Sequence, residues 1–306
     1  MRSIRERRDS VSVSQSLQRT SRETVQSQRT RRWPRRSTIA VLVVLVALSV
    51  VFIVPFAWLI ITALKATSEL SAFPIRWFPQ QAQWGNFRLA LTMIDYGKYA
   101  RNSFVLATIF AVLTTLTSAL VGFGFARLKA PGLRPLFIVM LATTMLPPIL
   151  TVIPTYKIFS VLGLIYTYWP WALWGLASSP FLSFLFRQFF AAIPVELEDA
   201  AIIDGCGYGR IFWRIFLPLS KPVLATAAIF SFQWVWGDWF APLLFLSQDN
   251  TTLSVAISSG YVDFRGNILT NVLSAGVVFY TLPVLVLFFV AQRYFVQGIV
   301  TTGLKG

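Results

Sequence analysis

The chain has 306 residues, of which 56% are hydrophobic and 13% charged, with a mean hydropathy of +0.64, a formal charge of +15 and no histidine. Soluble domains carry about 25% charged residues, so the composition points to lipid as the main solvent and to an integral membrane protein. Without histidine, and with Cys206 as the single cysteine, a histidine base, a multi-cysteine metal cluster and a disulfide framework are all excluded.

Residues 1–38 are rich in Arg, Ser, Gln and Thr; eleven arginines fall within the first 36 residues. Such a segment buries too little apolar surface to offset the entropy of ordering, and is expected to be a disordered cytoplasmic tail. The apolar run at 39–64 is too long for the core of a secretory signal and has no small-residue cleavage site after it. It reads as an uncleaved first span, with Pro55 as a kink. The loop that follows, with Pro74, Pro79 and several aromatics, is expected to fold as a small external cap.

Five further runs approach the roughly 20 apolar residues that a span requires: 102–126, 134–156, 169–190, 222–246 and 272–292. Prolines 147, 148 and 154 punctuate the third span of the chain and prolines 170 and 180 the fourth. In the second, Asn102 and Ser103 at the mouth and Thr114, Thr115, Thr117 and Ser118 within it either meet a polar solute or bond neighbouring helices. Gly122 and Gly124 provide small-residue spacing for close packing. With the tail inside, the inner segments hold 20 Lys and Arg against seven outside, which places both termini in the cytoplasm. The positive charge is thus a topology signal rather than a nucleic-acid surface.

The stretch between the fourth and fifth spans, 191–221, is the most informative. Pro194 suits a first helical position, and Glu196, Glu198 and Asp199 complement the positive end of the helix dipole. Ala200 and Ala201 are small, Ile202 and Ile203 are apolar, and Asp204-Gly205 offers a left-handed stop. A second helix, 208–216, is expected to end at Leu217-Pro218. The first helix suits either a groove on a partner or the bilayer surface. Gly205, Gly207 and Gly209 lack the strand and lysine of a phosphate loop, and no G-x-x-x-x-G-K-[ST] occurs elsewhere, so nucleotide hydrolysis belongs to another chain.

In the fifth span Asp238 lies within an aromatic run, where an isolated charge costs roughly 2.5–3.5 kcal/mol. Either Asp238 and Gln233 line a passage, with Trp234, Trp236 and Trp239 as flat faces for sugar rings, or Asp238 makes a structural hydrogen bond while the tryptophans face lipid. No second buried carboxylate accompanies Asp238, which weakens a proton relay.

The segment 199–218 resembles the cytoplasmic signature of binding-protein-dependent ABC importer permeases, E-A-A-x3-G-x9-I-x-L-P. The match falls on Asp199, Ala200, Ala201, Gly205, Ile215, Leu217 and Pro218, with Asp199 where the family usually has Glu. Asp204-Gly205, Arg101-Asn102-Ser103, Phe125-Ala126-Arg127 and Trp236-Gly237-Asp238-Trp239 are similar to the carbohydrate-uptake subfamily, in particular its maltose-permease type of inner-membrane subunit. Gly237 replaces the subfamily's usual Asn.

This resemblance implies an all-α, polytopic membrane bundle of six transmembrane helices with the type I ABC importer fold, over 39–306. It implies a bacterial inner-membrane permease for a sugar or oligosaccharide, partnered by a second homologous permease, two cytoplasmic ATPases and an external solute-binding protein. ATP and Mg would be bound by the ATPases, with no cofactor, metal or catalytic residue in this chain. Glu198, Asp199, Ala200, Ala201, Ile202, Asp204 and Gly205 would then form the ATPase-docking helix and turn, with Ile215, Leu217 and Pro218 as the structural part of the signature. Asn102, Ser103, Gln233, Trp236 and Asp238 are the substrate-path candidates. Lipid is a further partner, and the tail is expected to meet anionic head groups. The other readings are a permease for another small polar solute, a stand-alone proton-coupled transporter and a membrane-embedded enzyme.

Overall fold

The computed structural model describes residues 36–302, with side chains described over 38–290 and at 292. The expectations for residues 1–35 of the tail lie outside these residues. The chain divides into two units at Ala57/Trp58. The first is described over 36–57, most of helix α1 (Arg36–Ala63), which carries Pro55 inside it. An 18-residue window of this helix is apolar enough to cross a membrane and has none of its residues buried.

Early in the second unit, the segment expected to form a cap is ordered by charges turned inward. Helix α2 (Thr67–Leu70) presents Glu69, whose carboxylate accepts the amide of Gln80 at 3.1 Å and that of Ala66 at 3.3 Å. Buried Lys65 donates to the carbonyl of Arg76 at 2.6 Å and lies over Trp58. Helix α3 (Gly85–Thr92) ends with a carbonyl, Ala90, that accepts the phenol of Tyr261 at 2.7 Å. Burial pushes that phenol up to about 12, so it remains a donor across the physiological range.

Helix α4 (Tyr96–Arg127) is the central element. Asp95 caps it by accepting the amide of Lys98, and its 32 residues pack chiefly against α8 (Pro180–Ala191), α11 (Lys221–Trp236) and α7 (Trp169–Leu176). A Cβ on Gly122 would lie 2.6 Å from Cβ of Phe186 and 2.9 Å from the carbonyl oxygen of Ser183, so α4 and α8 meet where no side chain fits. Gly124 has no such neighbour. Two hydroxyls of α4 bond helices together: Thr117 donates to the carbonyl of Gly175, and Ser118 accepts the amide of Ser179, whereas those of Thr114 and Thr115 are buried without a hydrogen-bond partner.

The third expected span is not straight. Helix α5 (Leu133–Ala142) runs through a tight turn at Thr143–Met145, and α6 (Pro148–Val161) departs at 99°. Pro147 and Pro148 disfavour helical backbone in the residues before them and lack the amides that would continue α5. The fourth span is α7 followed by α8, separated by Ala177–Ser179 with Ser178 at a φ of 63°. Helix α9 (Glu196–Ile203) then turns away by 80°.

Helix α10 (Tyr208–Leu219) continues past the expected stop at Leu217-Pro218. Its middle, Phe212–Phe216, is a π turn in which the amide of Leu217 bonds the carbonyl of Phe212. The wider turn moves carbonyls off the i−4 register that the Pro218 ring would strike. The direction changes by 84° one residue later, at Ser220, into α11. The fifth span also breaks early, at Trp236, and resumes as α12 (Phe240–Phe245). Helix α13 (Leu253–Gly260) and a short loop, in which Val262 pairs with Ile268, lead to α14 (Thr270–Thr302). In that loop Asp263 accepts from Asn267, whose side-chain and backbone donors hold its carboxyl below the usual range. Among the described residues, three single helices and three bent pairs give up to six spans, as expected.

Candidate functional site

Helix α9 has two unlike faces. Glu198 and Ala201, three residues apart, are buried; Asp199, Ala200, Ile202, Asp204 and Gly205 are exposed, with Ile203 84% exposed. Val195 and Leu197 extend this apolar edge, and Glu196 and Asp199 flank it with charge. The helix begins at Glu196, two residues after Pro194, so Pro194 sets the approach rather than the first turn. At the other end Gly205 has a φ of +78°, the amide of Gly205 bonds the carbonyl of Ile202, and that of Cys206 bonds Ala201. This pair of bonds is a glycine C-cap that satisfies two otherwise unpaired carbonyls.

The buried face is held by Arg127, the last residue of α4. Its guanidinium donates to the carbonyls of Phe190 in the last turn of α8 and Ile193 just beyond it, lies 3.5 Å from the Glu198 carboxylate, and sits 4.9 Å from the centre of the Phe216 ring. One cation therefore meets the negative end of α8, the carboxylate of α9 and an aromatic face of α10. Beneath it, Phe123, Phe190, Phe212 and Phe216 meet mostly edge to face. Ile215 and Leu217 pack on this cluster, whereas Pro218 is exposed.

Glu198, 6% exposed, and Ala201, both expected among the docking residues, face this cluster, because charge neutralisation of Arg127 and close packing under α9 take them inward. In the sequence Arg127 stands out only as part of the Phe125-Ala126-Arg127 resemblance. The signal available for its role was a cation at a span terminus together with an excess of carboxylates on an eight-residue helix.

The substrate-path candidates also separate. Asn102 donates to the carbonyl of Thr251 at 3.1 Å, and the Ser103 hydroxyl accepts the amide of Leu253 at 2.8 Å; both are buried and tie α4 to the start of α13. Trp236 is 3% exposed and stacks between Phe232 and Tyr280, with its indole donating to the Tyr280 carbonyl. Each of these three is thus engaged by partners within the chain. Gln233 is exposed and Asp238 half-buried. Asp238 caps α12 by accepting the amides of Phe240 at 2.9 Å and Ala241 at 3.2 Å, which explains how a carboxylate is tolerated within an aromatic run. Gln233, Asp238, Trp234 and Trp239 remain open to a passage or to a neighbouring subunit.

Residues 118–301 match the family model described as binding-protein-dependent transport system inner membrane component. The chain is 32% identical over 262 residues to a probable ABC transporter permease protein, YurM, of Bacillus subtilis, covering 82% of this chain and 83% of that one. It is 32% identical over 267 residues to the diacetylchitobiose uptake system permease protein NgcG of Streptomyces coelicolor, covering 85% and 86%. In fold it resembles a chain from the crystal structure of a bacterial ABC transporter involved in the import of the acidic polysaccharide alginate. That match has a TM-score of 0.72 and 20% identity, over 87% of this chain and 100% of that one.

Proposed function

The chain belongs to the binding-protein-dependent transport system inner membrane components, and on that premise we propose that it is the sugar- or oligosaccharide-carrying permease subunit of an ATP-driven ABC importer, forming half of the translocation path. It is a multi-pass membrane protein and a transport subunit, not itself an enzyme. The sugar class is supported by relatives named for oligosaccharide uptake. In this reading it pairs with a second permease, two ATPases that bind ATP and Mg, and an external solute-binding protein, in a bacterial cytoplasmic membrane with both termini inside.

The observation that carries the coupling role is the division of α9 into an exposed signature edge and a buried anchor on Arg127. The edge fits a groove on the ATPase; the anchor makes α9 move as one body with the inner ends of α4 and α8. Closure of the ATPases would then shift these helices together, switching access between the two sides. Asp199, Ala200, Ile202, Asp204 and Gly205 form the docking edge in this proposal, with Ile203 at its tip. Gln233 and Asp238 are kept as path residues.

The test is co-purification of the assembled importer with Ile203→Asp. The expected result is an at least tenfold loss of retained ATPase with membrane insertion unchanged. Full ATPase retention and normal sugar uptake in this variant would overturn the docking assignment.

A further inference from the structure

The linker between α4 and α5 lines a cavity of about 610 Å³ that the transport reading leaves unused. Three cations face it, Lys129, Arg134 and Arg187, together with apolar Phe125, Leu128 and Phe137. Among the described residues the ion pairs are Arg76 with Glu69 and Arg127 with Glu198, so none of these three cations has a carboxylate partner. Arg187 is held in place by its Nε bond to the carbonyl of Phe125 and by the Phe137 ring, 4.4 Å from the guanidinium carbon. Three like charges around one cavity repel one another unless an anion joins them.

We propose that this cavity binds the phosphate head group of an anionic phospholipid. The choice of lipid over a soluble anion rests on what adjoins it. Helix α5 opens a bent pair apolar enough to cross a membrane, and Leu136, Ile138 and Val139, within two turns of Arg134, are each more than half exposed. An anionic head among the cations would therefore have apolar helix surface open to its acyl chains close by, and basic pockets at the ends of membrane helices bind such head groups. The site lies at the end of α4, two residues beyond Arg127, so an occupied cavity would brace the same helix end that anchors α9. The inference concerns lipid binding and stands whether or not the docking assignment does.

The test uses the full-length chain, with whatever subunits co-purify, in nanodiscs of phosphatidylcholine with or without phosphatidylglycerol, and counts retained lipid by native mass spectrometry. Phosphatidylglycerol should be retained over phosphatidylcholine, and Lys129→Gln with Arg134→Gln should reduce that preference by roughly thirtyfold, at about 1 kcal/mol per basic residue. The charge-preserving pair Lys129→Arg and Arg134→Lys should keep it, which separates binding from a folding defect. Undiminished preference in the double glutamine chain would overturn the proposal. So would displacement of phosphatidylglycerol by millimolar inorganic phosphate, which would make the cavity a free-anion site.

Discussion

Arg127 and Glu198 stand where charge is hardest to keep, with both side chains less than a tenth exposed. Removing one member of a buried pair leaves the other uncompensated, at a cost of about 3–5 kcal/mol. Here the two carbonyls that also accept from Arg127 share its charge, which puts the expected loss for Glu198→Gln at the low end, about 3 kcal/mol. Asp199→Asn, one residue along but exposed, should change thermal stability by less than about 0.5 kcal/mol. Denaturation of the two variants in the same detergent checks the contrast; equal losses would mean that Glu198 is not the buried partner. The motif residues were legible as a set from their spacing, but not their facing. An eight-residue helix with acids at 196, 198 and 199 and apolar residues at 197, 202 and 203 has no single apolar stripe. Which acid turns inward depends on where Arg127 arrives from a segment about 70 positions earlier in the chain, and no local pattern records that. Likewise Trp236 reads as a sugar platform until Tyr280 is known to lie beneath it.

The helices were legible as apolar runs and their breaks as prolines, yet the angles were not. Pro147-Pro148 announces an interruption, whereas 99° between α5 and α6 is set by what surrounds them. The continuation of α10 through Pro218 reverses the ordinary expectation for that residue, because a π turn relieves the clash just ahead of it. The two glycines of α4 show how contact geometry separates positions that look alike in sequence. Gly122→Ala should cost about 1–3 kcal/mol by overpacking, since the atoms facing the new methyl include the backbone of α8, which cannot move aside as a side-chain tip does. Gly124→Ala meets only the tip of Leu128 at 3.9 Å and should be neutral or slightly stabilising. Thermal unfolding of both variants, side by side, measures the difference.

For the whole molecule, the count of basic residues predicts an orientation with both termini cytoplasmic. The chain contains its own reporter for it. Cys206, the only cysteine, lies in the turn after α9, half-buried and free. With both termini cytoplasmic, a membrane-impermeant maleimide should label Cys206 in inside-out vesicles and leave it untouched in right-side-out ones; the opposite pattern would invert the topology. The fold class and the importer signature were legible because each depends on runs or spacings within short windows. The segment after α1, where Lys65 and Glu69 are turned inward and Asn271 donates to the carbonyl of Lys65, was legible only as a loop with aromatics.

The exposure of α1 bears on how such a chain is made. The stretch Thr38–Ala63 has 26 residues, about 39 Å of helix against a hydrocarbon core of about 30 Å, and its apolar window buries nothing within the chain. During synthesis this segment leaves the ribosome before α2–α14, and its entry into lipid needs none of them. Helices α5 and α6, at 10 and 14 residues, fall short of a span singly and are joined at a sharp bend, so their insertion waits for α4 to be in place beside them. Biogenesis therefore proceeds from the segment that is self-sufficient in the bilayer to those that are not, and a chain truncated before α4 should still be anchored, though without the scaffold on which the broken helices assemble.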